Sequence, residues 1–161
     1  MILVADCSAL IALASCDGLH LLDALFGTVI VPEAVYREAV VGDKPEAQQL
    51  KEYLQGKVRK IDAVGSVLLD GFSDLGETEA MLLYKQYSAD KLLIDDKRGR
   101  RMAKINYIST IGSLGVLLAA KQAGLIDQIF PFVNKLASSD IYVSAALIAT
   151  VMNIAGEEWP L

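Results

Sequence analysis

The chain has 161 residues, 53% of them hydrophobic, which is the length of one domain with ample material for a well-filled core. Its formal net charge of −5 excludes a protein that coats nucleic acid through bulk electrostatics, since that needs an excess of Lys and Arg, but leaves room for a local basic patch. Two cysteines, Cys7 and Cys16, and a single histidine, His20, support neither a zinc site nor a disulfide framework, and point to reduced thiols in a cytosolic protein.

The opening run Ile2-Leu3-Val4-Ala5 reads as a buried strand ending in Asp6-Cys7-Ser8 and followed by a helix. It lacks the basic start of a signal sequence and carries an acid at its sixth position. Further strand-like runs at 28–31, 58–61, 91–94 and 107–109 alternate with helix-like segments. That alternation implies parallel strands joined by crossover helices, the α/β class. Pro32 suits the first turn of a helix over 32–41, and Asp43 is a cap candidate for KPEAQQLKEYL. Ser113 can cap LGVLLAAKQA with Gly124 as its stop, and Ser144 can cap AALIATVMNIA with Gly156 as its stop. After Phe130-Pro131 strand character is lost, so residues 131–161 are expected to form a helical appendage on a core spanning 1–130, all within a single domain. The longest uncharged stretches, 105–120 and 141–156, are too short to span a membrane.

In an open α/β sheet, residues just past the carboxyl ends of parallel strands converge on one crevice, where such folds place their ligands. Asp6 and the pair Asp95-Asp96 both end hydrophobic runs, so they are expected to meet there. Glu38, with Ala34 and Val35 four and three positions before it and Val41 three after, is expected on the buried face of its helix. A carboxylate in such a place needs a partner or a metal. Glu79 has the same character, with Leu75 four before it and Leu82 and Leu83 after. Glu77 stands three residues after Asp74, the spacing of a capping box, which is a bland alternative to a metal-binding role. Positions two apart on a helix point to different sides, so Glu77 and Glu79 are not expected to serve one ion equally. For Asp95-Asp96 the bland reading is that one of them caps KRGRRMAKI. The cations Lys97, Arg98, Arg100, Arg101 and Lys104 read either as a solvated face or as an anion-binding patch. Their crowding at a helix start, where the macrodipole disfavours positive charge, points to the second.

These residues resemble the PIN-domain family of metal-dependent ribonucleases over roughly residues 1–125. The likeness rests on Asp6-Cys7-Ser8 after the first strand, Glu38 after Val31-Pro32, Gly76-Glu77-Thr78-Glu79-Ala80 opening a helix, and Leu93-Ile94-Asp95-Asp96. It is closest to a PIN-like branch related to toxin-type ribonucleases, with the pattern GExEA…LLIDDxxGRxxA…GxLGVLLxAKxxG, matched here as GETEA, LLIDDKRGRRMA and GSLGVLLAAKQAG. The tail through NIAGE is similar to that branch as well. The resemblance implies a three-layer α/β/α fold with a central parallel sheet, and a cytoplasmic endoribonuclease that cuts single-stranded RNA with Mg²⁺ or Mn²⁺. Asp6, Glu38, Glu77 and Asp95 would hold the metal, with Glu79 and Asp96 as alternatives at their two loci, and Ser8, Lys97, Arg98, Arg100 and Arg101 would contact RNA. The same likeness suggests a protein inhibitor (antitoxin) and a homodimer as partners.

A phospho-receiver would want its acidic pair near strand one, and a haloacid-dehalogenase-like phosphatase would want an aspartate where Ser8 stands. Dinucleotide binding lacks its glycine fingerprint, and a Ser-His-Asp hydrolase would have to use His20. The serious alternative is a catalytically silent PIN-like module that binds RNA or protein, its acids serving as caps and salt-bridge partners.

Overall fold

The computed structural model describes residues 1–62, 65–71 and 73–160. Five parallel strands, β1 (Ile2–Ala5), β2 (Thr28–Pro32), β3 (Val58–Arg59), β4 (Lys91–Leu93) and β5 (Thr110–Ile111), form one sheet in the order β3-β2-β1-β4-β5. The central strands are short and apolar, as expected where both faces of a sheet are covered. Successive side chains leave a strand on opposite faces. Leu3, Ala5, Val29, Val31 and Leu93 accordingly enter one core, and Val4, Ile30, Leu92 and Ile94 enter another.

The first core is closed by α1 (Cys7–Ser15), α2 (Leu19–Phe26), α3 (Glu33–Val40), α4 (Ala47–Tyr53) and α7 (Ser113–Gln122). The second is closed by α5 (Leu75–Gln86) and α6 (Lys97–Ile105) through Ala80, Met81, Leu83, Met102 and Ala103. The result is the expected α/β/α sandwich. The tail is helical as anticipated: α8 (Phe130–Ala137) and α9 (Ala145–Ala155) place Val133, Leu136, Ile148, Val151 and Met152 in the first core, while Leu161 lies outside the described residues. Among the described residues no single helix is long and apolar enough to cross a membrane.

Several boundaries differ from the sequence reading, each for a local reason. Residues 107–109 are not a strand: Tyr107 is left-handed (φ 58°) and the Ile108 amide bonds back to Ala103, so this stretch is the turn that closes α6, and β5 starts at Thr110. Pro32 ends β2 and holds the N-cap position of α3. Ser113 is the first residue of α7, behind the cap position at Gly112, and α4 begins at Ala47 behind Glu46 rather than behind Asp43. Ser144 does cap α9, accepting from the Leu147 amide, and Gly156 ends that helix in the left-handed conformation (φ 71°).

Sheet order fixes where chemistry can happen. The chain runs outward from β1 through β2 to β3 on one side, and from β4 to β5 on the other, so the order switches between β1 and β4. The crevice beyond their carboxyl ends is where open α/β sheets bind ligands. Asp6 follows β1 directly, its amide bonded to the Leu93 carbonyl of β4 at 2.9 Å, and Asp95-Asp96 follow β4.

Candidate active site

Four elements deliver acids to this crevice: the end of β1 brings Asp6, α3 brings Glu38, the start of α5 brings Asp74 and Glu77, and the start of α6 brings Asp96. Their five side chains line one pocket of about 290 Å³, with Cys7, Ser8 and Arg98 completing the wall. Asp6 stands at the N-cap position of α1, yet its side chain makes no cap hydrogen bond. It is therefore not committed to the capping role that position offers.

Local hydrogen bonding explains how the others are held. Asp74 accepts from the Glu77 amide at 2.7 Å while Glu77 Oε2 accepts from the Asp74 amide at 3.2 Å, the reciprocal capping box foreseen from their spacing. Glu77 is nonetheless buried, and its Oε1 lies against the first turn of α6, where a Cβ on Gly99 would collide with it. Asp96 caps α6 by accepting from the Gly99 amide at 2.7 Å. Gly76 matters for the same reason as Gly99. A Cβ there would stand 3.1 Å from Glu38 Oε2 and 3.4 Å from Asp74 Oδ1, so the missing side chain lets two carboxylates draw close over the start of α5.

The remaining acids of the sequence reading are engaged elsewhere. Both oxygens of Asp95 are taken by Ser113, one by its amide and one by its hydroxyl, each at 2.7 Å. Glu79 Oε2 accepts from the Ala34 amide at 2.9 Å and so closes the start of α3. Glu79 is half-buried, whereas Glu77 is buried because α5 turns its Gly76-Glu77 edge toward α6. Glu38 is exposed rather than on the buried face of α3, which carries Ala34, Val35 and Ala39. Among the cations, Arg98 lines the acidic pocket, whereas Lys97, Arg100, Arg101 and Lys104 are exposed on the rest of α6. His20 is exposed on α2 and lines no part of the pocket.

Two contributors carried no clear sequence signal. Asp74 reads in sequence only as a cap, although it lines the pocket and acts as a charge on its neighbours. Lys44, in the loop between α3 and α4, sits close enough to Glu38 and Cys7 to lower the pKa of both, and nothing periodic marks it.

The electrostatics are those of crowded, partly dry carboxylates. Burial pushes Asp6 up to about 7, with Asp74, Glu77 and Glu38 adding repulsion and a backbone hydrogen bond from Cys7 opposing it. Glu38, although exposed, is raised by partial desolvation at the pocket wall and by Asp74, against Lys44. Glu77 is raised by burial and by the charges of Asp74, Asp96 and Asp70, against its bond to the Asp74 backbone. Burial, Glu38 and Asp6 push the Cys7 thiol up to about 12, which keeps it protonated and a poor nucleophile at neutral pH. Five carboxylates in one pocket at a sheet switch point form a hard-oxygen donor set of the kind Mg²⁺ and Mn²⁺ prefer.

The family model DUF3368, described as a PIN domain, matches residues 2–157. The chain belongs to the PIN-domain family. No curated protein and no solved structure matches it. PIN domains are generally nucleases that use divalent metals, and the fold described above is of that nuclease type. In this PIN domain the donor chemistry fits a hard dication. As the side chains stand, no group of three or more His, Cys, Asp or Glu among the described residues is drawn together tightly enough to be a preformed cage.

Proposed function

We propose that this PIN domain is a Mg²⁺- or Mn²⁺-dependent endonuclease acting on single-stranded RNA. The observation that carries the reading is the convergence of Asp6, Glu38, Asp74, Glu77 and Asp96 on one pocket at the switch between β1 and β4, in a family of nuclease type. Asp6, Glu38, Glu77 and Asp96 are the residues that would hold the metal. Asp95 and Glu79 are given lesser roles because their oxygens already close α7 and α3. A bound dication would supply a hydroxide-like water at neutral pH and neutralise charge on the scissile phosphate.

The chain's own residues supply the rest. Asp6 is buried among like charges and gains most from a cation, so it anchors the site. Arg98 and Ser8 at the pocket wall bind the phosphate that enters, and the exposed Lys97, Arg100 and Arg101 carry the strand beyond it. The capping box fixes the Glu77 rotamer, so this carboxylate is positioned before any substrate arrives.

A second reading, a silent RNA-binding module, draws on the absence of a preformed metal cage among the described residues. Cleavage of single-stranded RNA in Mn²⁺ separates the two. The nuclease reading expects activity that EDTA abolishes and Asp6→Asn reduces by at least about a hundredfold, of the order of losing one transition-state stabiliser. Activity surviving both treatments would refute it. Replacing two of Arg98, Arg100 and Arg101 with Gln should weaken RNA binding and flatten its log–log salt slope by roughly 0.7 per lost contact. An unchanged slope would mean that these cations only solvate α6.

A further inference from the structure

A second cavity opens beside the acidic pocket and shares two of its walls. It has a volume of about 430 Å³, within the range of roughly 300–1,000 Å³ typical of small-ligand pockets, and its lining is largely apolar. Ala34, Leu75 and Gly76 form the apolar part, Arg37 stands at its side, and Glu38 and Asp74 are the walls held in common with the acidic pocket. Leu75 is 62% exposed, although it opens a helix whose interior faces are well buried. Arg37 is exposed in the last turn of α3, next to Glu38.

We infer that this cavity is a nucleotide subsite, which takes the base of the residue next to the scissile phosphate of a single-stranded RNA. The inference rests on the nuclease reading and adds to it where the strand goes. A phosphodiester held at the acids must have a nucleotide on each side. On the α6 side the wall offers Arg98, and on the α3 side this cavity is continuous with the acids through Glu38 and Asp74. An apolar floor beside a guanidinium suits a nucleobase: its faces pack on Leu75 and Ala34, while the planar Arg37 group stacks on it or meets the adjoining phosphate. Lys44, close to Glu38, gives the same side a second cation, so the acids are flanked by positive charge at both ends, as a polyanion crossing them requires. Gly76 lines this cavity beside the two shared walls, and a side chain there would crowd Glu38 and Asp74.

The test compares binding of a fluorescent oligouridylate with binding of the same-length ribose-phosphate strand lacking bases, by anisotropy in EDTA at low ionic strength. Wild type should prefer the base-bearing strand. In Arg37→Gln/Leu75→Ser, two exposed positions whose replacement leaves the cores intact, that preference should be lost. The salt slope should also flatten by about 0.7, the value of one single-strand phosphate contact. Lys51→Gln, an exposed cation on α4 that lines neither pocket, should behave as wild type. The subsite is overturned if wild type makes no distinction between the strands, or if the double variant keeps it. In either case Mn²⁺-dependent cleavage by wild type would leave the nuclease reading standing. Failure of wild type both to bind and to cut RNA would remove that reading and the subsite with it.

Discussion

Asp6 is the residue at which burial and charge conflict most. The residue is 6% exposed and its carboxyl is pushed up to about 7, so the folded chain keeps a proton that the unfolded chain, near 3.8, gives up. Its contribution to stability is therefore complete below about pH 4 and is lost as pH rises through about 7, since over that range the unfolded state binds fewer protons. Glu38 and Glu77, also raised, act in the same direction. The metal-free protein should melt at a higher temperature at pH 5 than at pH 7.5. Asp6→Asn should flatten that difference and stabilise the metal-free form at pH 7.5 by on the order of 1–3 kcal/mol, or about 2–4 °C per kcal/mol. Equal melting profiles for wild type and variant across this range would show that Asp6 is not under strain. Strand ends and capping spacings leave local marks, so sequence pointed to Asp6, to the Glu77/Glu79 locus and to the pair Asp95-Asp96, of which the structure places Asp6, Glu77 and Asp96 on one pocket. Sequence misjudged the burial of Glu38, which is exposed, because apolar neighbours at i±3 and i±4 bound a face without deciding which edge of it meets another element.

Among the elements, α6 and the last two helices show how local motifs serve the site and its support. Gly99 lies inside α6, where Ala would ordinarily be better by about 0.5–1 kcal/mol. A Cβ there would strike Glu77 and come within 2.5 Å of Ile94 Cδ1, a core atom with little freedom. The clash outweighs the propensity gain, so Gly99→Ala should destabilise the protein by about 1–3 kcal/mol, read by urea unfolding. No loss would mean that α6 can shift away from α5. At the other end of the chain, Glu157 accepts from the Ile129 and Phe130 amides and from Lys121, tying the tail to the start of α8 and the end of α7. Burial would raise its pKa, but these three donors hold it below the ordinary range. Glu157→Ala orphans the Ile129 and Phe130 amides and leaves Lys121 only its bond to the Ala155 carbonyl, and should cost about 1–3 kcal/mol in the same measurement without altering RNA binding. The last helix, α9, was legible from Ser144 and Gly156. The true start of β5 was not, because an apolar Tyr-Ile pair reads as strand until the left-handed turn at Tyr107 is seen.

At the scale of the whole molecule, five short parallel strands and two cores turn scattered acids into neighbours. Periodicity and chain order were enough to give the α/β class, the parallel sheet and the meeting of Asp6 with the β4 end. They did not give the pocket's full membership. Asp74 enters through tertiary placement of the α5 cap, and Lys44 through a loop with no pattern of its own. The central claim is that this placement makes a metal site, and a calorimetric Mn²⁺ titration of the metal-free protein at pH 7.5 tests it most directly. Wild type should bind with release of protons, because Asp6 is partly protonated before the ion arrives, and Asp6→Asn should bind at least about tenfold more weakly with less proton release. Absence of binding by wild type, or equal binding and equal proton release in the two proteins, would contradict a metal site built on Asp6.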